Sequence, residues 1–459
     1  MAFPKPLKWF QFLVVLLLPA LPAQTQAEPD GWSEQVRIWS DAPEAAARTE
    51  AVAVLQEAVA TAVQLRPALR RETARGAELS HRVREVRADR LPSVRLGLEQ
   101  RSSLSATDQR AFDSGSRVDA VISVSQRLYD FGASAGHLQA AREHLSAQEW
   151  HARALTAELA LEAVGVYYDL ARYQAQQALA GHNLDRHQAI RDRVQERVEG
   201  GVGSRADLLR ADGRVADARA RLVALEGRLE RAAAVYEEWF FNRAKTLSPP
   251  GLDLLSHDPD LLRVTLDDHP ALREAASRVA ASRAEGRALA GERWPQLRVN
   301  LEGRRFDVDR SDRGDSDLAL IFHLDYPLYG GGAPGARVSQ AREREWQSRW
   351  EQQALEREFV RRWRNARSDV QALEAELQAQ YRAFQADREA VRVYEDQFTI
   401  GRRSLTDLLD AQRDLFQSSL RVMDLRLELD LAGFRQLALA GQLLRALQIP
   451  EVTLVDRDD

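Results

Sequence analysis

The chain is written twice, and this constrains its fold more than any other feature. Leu128-Tyr129 recurs as Leu328-Tyr329, Ala141-Arg142-Glu143 as Ala341-Arg342-Glu343, Gly201 as Gly401, and Asp207-Leu208-Leu209 as Asp407-Leu408-Leu409, each pair 200 positions apart. A fifth match, Pro92-Ser-Val-Arg-Leu-Gly-Leu-Glu with Pro295-Gln-Leu-Arg-Val-Asn-Leu-Glu, sits at 203, which fits a shorter loop in the second copy. Self-similarity at one offset means one supersecondary unit used twice. The repeats occupy 46–247 and 266–447. The linker 248–265 between them opens with Ser248-Pro249-Pro250-Gly251 and carries Asp258-Pro259, both helix-breaking combinations.

Each copy has the same order. A helix (about 46–90, then about 270–293) ends at a proline. Two strands follow, about 92–100 and 117–127 in copy one and about 295–303 and 317–327 in copy two. A long helix, a glycine turn and a second long helix complete the unit, at 133–199 and 204–247, then 335–398 and 404–447. The strands alternate: Val94, Leu96 and Leu98 share a face, as do Val118, Ala120, Ile122 and Val124. Copy two repeats this with Leu297, Val299, Leu301 and with Leu318, Leu320, Phe322, Leu324. Period two over about ten residues fits a tilted membrane strand, and it equally fits a soluble hairpin. The loops 101–116 and 304–316 are polar and read as solvent-facing. Tyr129, Phe131, Trp294, Tyr326 and Tyr329 cluster where strands meet helices, as an interfacial aromatic belt would. Capping the ends of a soluble core would place them there too.

A helix of 60-odd residues extends roughly 100 Å, far more than a compact domain needs. In the last helix Leu408, Leu415, Val422 and Leu429 recur every seven residues beside Ala411, Ser418, Leu425 and Ala432. Large residues on one row and mostly small ones on the other allow close helix pairing. Taken alone, that seam also fits a plain coiled-coil rod.

Residues 1–27 read as a secretory signal peptide: Lys5 and Lys8, an apolar core from Trp9 to Leu18, and Thr25-Gln26-Ala27 before the cleavage point. The segment 28–45 then opens the mature chain, and 448–459 forms a C-terminal tail. Losing two lysines moves the formal charge from −5 to −7, so no nucleic-acid partner is expected. The absence of cysteine excludes disulfides, thiol catalysis and an acylated lipoprotein anchor. No other run reaches membrane-helix length. A membrane role therefore needs a β-barrel, because only helices and closed barrels satisfy their backbone groups in lipid. Four strands cannot close a barrel, so the strands of several chains must combine, eight from a dimer or twelve from a trimer.

The sequence resembles the TolC-like outer-membrane efflux and secretion channels over about 46–447. The carrying segments are Ser125-Gln-Arg-Leu-Tyr-Asp-Phe-Gly132, Asp325-Tyr-Pro-Leu-Tyr-Gly-Gly-Gly332, Gly200-Gly-Val-Gly-Ser-Arg-Ala-Asp-Leu-Leu209 and Phe398-Thr-Ile-Gly-Arg-Arg-Ser-Leu-Thr-Asp-Leu-Leu-Asp410. The resemblance implies an α+β membrane protein. Three chains would form a trimeric 12-stranded β-barrel with four strands per chain, continued by a long antiparallel α-helical coiled-coil barrel in the periplasm of a Gram-negative cell. It implies a passive exit duct across the outer membrane, driven by an inner-membrane ABC or proton-driven transporter through a periplasmic adaptor (membrane fusion protein). A soluble periplasmic coiled-coil adaptor or scaffold is the competing class.

The resemblance also assigns residues. The turns Gly201-Val202-Gly203 and Ile400-Gly401-Arg402 become adaptor-docking tips, with Ser204 and Ser404 as N-caps of the returning helices. Asp407 and Asp410, one helix turn apart, become a pore constriction, although their spacing alone describes any solvated acidic face. Asp207 and Arg403 become the gate latch. Phe398 and Ala206 lack the hydroxyls that some members carry there, which thins the latch network. The cargo is small toxic molecules or an unfolded polypeptide, and the Leu128-Tyr-Asp-Phe-Gly132 form leans toward secretion.

No catalytic constellation is expected, and no cofactor. Gly330-Gly-Gly-Ala-Pro-Gly335 satisfies G-x-G-x-x-G, but an alternating strand and a 60-residue helix flank it in place of a βαβ unit. His137, His144 and His151 line one helix face about 10 Å apart, too far for one metal.

Overall fold

The computed structural model describes residues 45–105, 113–243, 245–250, 269–306, 308 and 315–450. The expected signal peptide, the segment up to 44, most of the linker and the tail beyond 450 lie outside them. Copy one comprises α1 (Ala45–Leu65), α2 (Pro67–Ala88), β1 (Ser93–Ser105), β2 (Asp113–Tyr129), α3 (Ala133–Glu199) and α4 (Arg205–Phe240). Copy two comprises α5 (Pro270–Gly291), β3 (Gln296–Arg305), β4 (Ser316–Asp325), α6 (Ala333–Thr399), α7 (Leu405–Leu439) and the single turn α8 (Leu443–Ala446).

Three expected helix limits are corrected, and the first two strands reach into the expected loop 101–116, β1 to Ser105 and β2 from Asp113. The helix over 46–90 is two helices, because Arg66 is extended (ψ 127°) and Pro67 begins a new first turn. Proline has no N–H to give to the turn before it, and it disfavours the α region for its predecessor. The helix from 204 stops at Phe240, not 247, with Phe241 left-handed at φ 56°. The helix from 404 stops at Leu439, where Gly441 (φ 72°) turns the chain into α8.

The strands form one antiparallel sheet in the order β1-β2-β3-β4. The copies join through β2 and β3, and β1 and β4 are the open edges. The helices continue the same sidewise order. Near the sheet α2 packs on α3, α3 on α5 and α5 on α6; further along, α4 packs on α3, α3 on α7 and α7 on α6. The core sits midway along α3, where Tyr167, Tyr168 and Phe434 are buried with Leu55, Val59 and Val63 of α1 and Tyr236 and Phe240 of α4. Tyr168 donates to the Pro250 carbonyl at 2.8 Å, so its hydroxyl is satisfied in a site whose burial holds its pKa well above the ordinary phenol value. Small residues (Ala160, Ala163, Ala171, Ala180) keep α3 close to its neighbours along its length.

Candidate functional site

The first candidate is the sheet. Its register puts Val94, Leu96 and Leu98 of β1 opposite Val124, Ile122 and Ala120 of β2. The same face continues through Leu301 and Val299 of β3 to Leu320 and Phe322 of β4. It is apolar across all four strands and covered by nothing among the described residues: Leu96 is 78% and Phe322 62% exposed. A contiguous exposed apolar face of this kind marks a surface that another phase or partner covers.

The opposite face is polar. Ser125 donates to Asn300 Oδ1 at 2.7 Å. Arg304 reaches Glu302 at 2.9 Å, Glu99 at 3.2 Å and Asp119 at 3.6 Å, tying β1, β2 and β3 together. Among the described residues no helix is long and apolar enough to cross a membrane.

At the base of the sheet lie the aromatic residues expected to form a belt. Tyr129 meets Phe131 edge-on at 4.8 Å, and Phe131 stacks on Trp294 at 5.6 Å. Tyr326 and Tyr329 are exposed, and among the described residues no ring contact joins them to that trio. Phe131 is left-handed (φ 50°), as is Gly331 (φ 62°) at the matching place in copy two, each followed by a left-handed glycine, Gly132 or Gly332. Asp130, which the residue pattern did not single out, caps α3: its carboxylate accepts from Gly132 N at 3.2 Å and Ser134 N at 2.9 Å. Copy two has Gly330 there, and Pro334 starts its helix instead.

The far ends of the long helices are two turns of the same design. Gly201 (φ 75°) and Gly401 (φ 73°) end α3 and α6 in the left-handed region that glycine enters at no steric cost. The N–H of Val202 returns to the Arg197 carbonyl at 2.9 Å and that of Arg402 to Gln397 at 2.8 Å, satisfying carbonyls the helices leave open. Ser204 accepts from Ala206 N at 3.1 Å and Ser404 from Asp407 N at 3.2 Å, so each next helix begins capped. Val202 and Ile400 are exposed at the two tips, beside Gly203 and Arg402.

Asp407 and Asp410 are both partly exposed on α7, and arginines flank them. Asp410 lies 3.2 Å from both Arg214 of α4 and Arg413. Asp407 lies 3.8 Å from Arg403, whose guanidinium also covers Tyr394 at 4.2 Å. Asp207 sits in the first turn of α4. Among the described residues no ion pair within the chain joins it to Arg403. The bonds that stitch this end within one chain involve arginines the residue pattern left out: Arg210 to Thr406, and Arg197 to the Phe398 carbonyl at 3.2 Å. No local sequence pattern marks them, because each contact depends on how two helices lie side by side.

A family description matches residues 58–235 and 261–441, that of the outer membrane efflux proteins. The chain belongs to the outer membrane efflux protein family. It is 23% identical to the outer membrane efflux protein BepC of Brucella suis over 326 residues, 70% of this chain and 72% of that one. It is 29% identical to the protein CyaE of Bordetella pertussis over 312 residues, 65% of each chain. Among solved structures, the outer-membrane channel OprN superposes with a TM-score of 0.73 at 22% identity, covering 92% of both chains. CusC superposes at 0.72 and 20% identity, covering 86% of this chain and 91% of that one. VceC of Vibrio cholerae gives 0.71 and 17%, covering 86% and 96%. At these identities the superpositions establish the shared fold, and the family assignment rests on the sequence match.

His137, His144 and His151, set aside as one-metal ligands, each face a carboxylate across a helix joint. The partners are Glu292 at 2.8 Å, Glu285 at 3.0 Å and Glu274 at 3.2 Å. No group of three or more metal-ligating side chains is present among the described residues.

Proposed function

We propose that this chain is exported and that three copies close into a 12-stranded barrel in the outer membrane. The barrel continues into a helical duct that spans the periplasm. The duct is passive: it serves a tripartite efflux pump or a type I secretion system, with an inner-membrane ABC or proton-driven transporter supplying energy through a periplasmic adaptor. The observation that carries this reading is the open four-stranded sheet, apolar on one face and charged on the other, with the outer sides of β1 and β4 left unpaired among the described residues. In lipid an open edge is prohibitively costly, and in water the apolar face is. A closed ring of such sheets removes both costs, leaving the Arg304 cluster in an aqueous lumen.

In this reading Tyr129, Phe131, Trp294, Tyr326 and Tyr329 lie at the inner lipid boundary, where amphipathic rings settle. The exposed tips, Val202 beside Gly201 and Gly203 and Ile400 beside Gly401 and Arg402, meet the adaptor. Asp407 and Asp410 form rings of carboxylates at the narrow end, and Asp207 with Arg403 forms a latch between neighbouring chains. Family membership, the tip geometry and the apolar sheet face support these assignments.

The test is extraction and recording. The mature protein is expected in the outer-membrane fraction, to need detergent, to migrate as a trimer and to give discrete conductance steps in planar bilayers. A monomer soluble without detergent and lacking conductance refutes the proposal and returns the chain to the class of soluble periplasmic scaffolds.

A further inference from the structure

Two exposed tryptophans remain unexplained by the barrel, the tips or the lumen. Trp346 and Trp350 stand one turn apart on α6, 50% and 62% exposed, with their rings stacked at 6.3 Å. They are 13 and 17 residues below the start of α6 at Ala333, roughly 20–25 Å along the helix, too far from the sheet for the lipid boundary. The face of α6 that packs on α5 is fixed by Arg283–Glu345 at 3.1 Å and Ser282–Ser348 at 3.1 Å. At 3.6 residues per turn the tryptophans lie about 130–175° round the helix from that face. They point away from their own chain.

On the other flank, α2 buries Leu69, Glu72 and Gly76. Its open side, about 165° away, carries exposed Ala74, flanked by exposed Arg70 and Arg71. The contacts Arg283–Glu345, His144–Glu285 and Gln148–Glu72 step across the four helices, and they set Trp346 and Trp350 level with the Ala74 turn.

The edges of the sheet say what covers both faces. α2 leads directly into edge strand β1, and α6 follows edge strand β4. When β4 of one copy pairs with β1 of the next, α6 of the first lies beside α2 of the second. We propose that Trp346 and Trp350 form an inter-subunit anchor, seated on the Ala74 turn of the neighbouring copy between its Arg70 and Arg71. The small residue leaves room for the ring faces. The guanidiniums supply cation–π partners of the kind Arg349 already makes with Trp346 at 5.0 Å. Paired tryptophans opposite a small residue have the composition of an interface hot spot.

This inference rests on the oligomeric-barrel reading, and the experiment separates the two. The chain has no cysteine, so Ala74→Cys with Gln347→Cys introduces the only thiols. Both positions are exposed, at the same height on opposite flanks, and the tryptophans stay in place. A short bis-maleimide applied to the detergent-purified protein is expected to give dimer and trimer bands on a denaturing gel, and each single-cysteine variant none beyond background. In a second arm, Trp346→Ala with Trp350→Ala is expected to raise the trimer dissociation constant at least tenfold. Wild-type trimers without cross-linking at this pair, together with tryptophan variants that dissociate like wild type, overturn the anchor and leave the barrel reading standing. A monomeric wild type overturns both.

Discussion

The same substitution, glycine to alanine, should have opposite signs at two places on α3. Gly136 lies in the first turns of α3, where the helix crosses α5. A Cβ built there would stand 2.7 Å from the backbone nitrogen and 2.8 Å from the Cα of Ala288. No rotamer change relieves a clash with backbone, so the two helices must part. Gly165, further along α3, has nothing within 4 Å of its would-be Cβ. Replacing glycine by alanine in a helix gains up to about 1 kcal/mol. Overpacking a tight contact costs about 1–3 kcal/mol, with the upper end apt for a backbone clash. Gly165→Ala should therefore stabilise by about 1 kcal/mol and Gly136→Ala destabilise by about 2 kcal/mol. The difference of about 3 kcal/mol is roughly a hundredfold in the folded-to-unfolded ratio. The assay is loss of helical ellipticity during heating of the purified protein in one detergent, at one concentration and one scan rate. Equal midpoints, or Gly136→Ala above wild type, would refute the claim that this glycine exists to let α3 and α5 touch.

Further outcomes follow from single side chains. His187 is buried on α3; that burial, with Arg214 and Arg221 nearby and only partly offset by Asp217, lowers its pKa from 6.5 to about 4. The unfolded chain therefore takes this proton first as pH falls. The stability contribution is intact above about pH 6.5, declines by up to about 3 kcal/mol on the way to pH 4 and is flat below. His187→Gln should flatten that part of the midpoint-against-pH curve, and an unchanged slope would assign it to other groups. Phe131→Ala should be less stable than Phe131→Gly by about 1 kcal/mol, since both lose the stacking on Trp294 and only alanine keeps a side chain at a left-handed backbone. Equal midpoints would remove the strain argument. Asp407→Ala with Asp410→Ala should weaken block of the conductance by hexamminecobalt(III) about tenfold or more, whereas Arg214→Ala should tighten it by unmasking Asp410. Block unchanged in both variants would place the constriction elsewhere.

How far the sequence speaks depends on which force sets each feature. Long helices were legible because punctuation sets their ends: Gly132, Gly200, Gly332 and the caps Ser204 and Ser404 are visible as letters. The break at Arg66 is equally visible as Pro67, yet the expected helix 46–90 spans it; both halves keep apolar residues toward α3. Strand ends in copy one were underread. β1 and β2 run on through Arg101–Ser105 and Asp113–Ser116, where cross-strand pairing holds the ladder and no hydrophobic alternation announces it. At the tips, the turn residues followed from backbone geometry. The Arg214–Asp410 and Arg210–Thr406 contacts did not, because they depend on how α4 and α7 lie side by side, which no local pattern encodes.

The sheet and the helices share one physical predicament, and that ties the parts of the molecule together. Each chain is a strip with two raw margins: β1 with α2 and α4 on one side, β4 with α6 on the other. A strip in water would bury its margins by curling on itself, but four strands are too few to close, and helices of 67 residues such as α3 and α6 are too long to fold back onto one core. The remaining solution is to lay strip against strip. In the proposed assembly the strands set how many strips complete the ring, and the helices, attached directly to the edge strands, inherit that number. In that proposed assembly a change that alters lateral packing in the helices, at Gly136 or at Trp346 and Trp350, would be felt in the barrel, and one that spoils the sheet edges would loosen the helical duct as well.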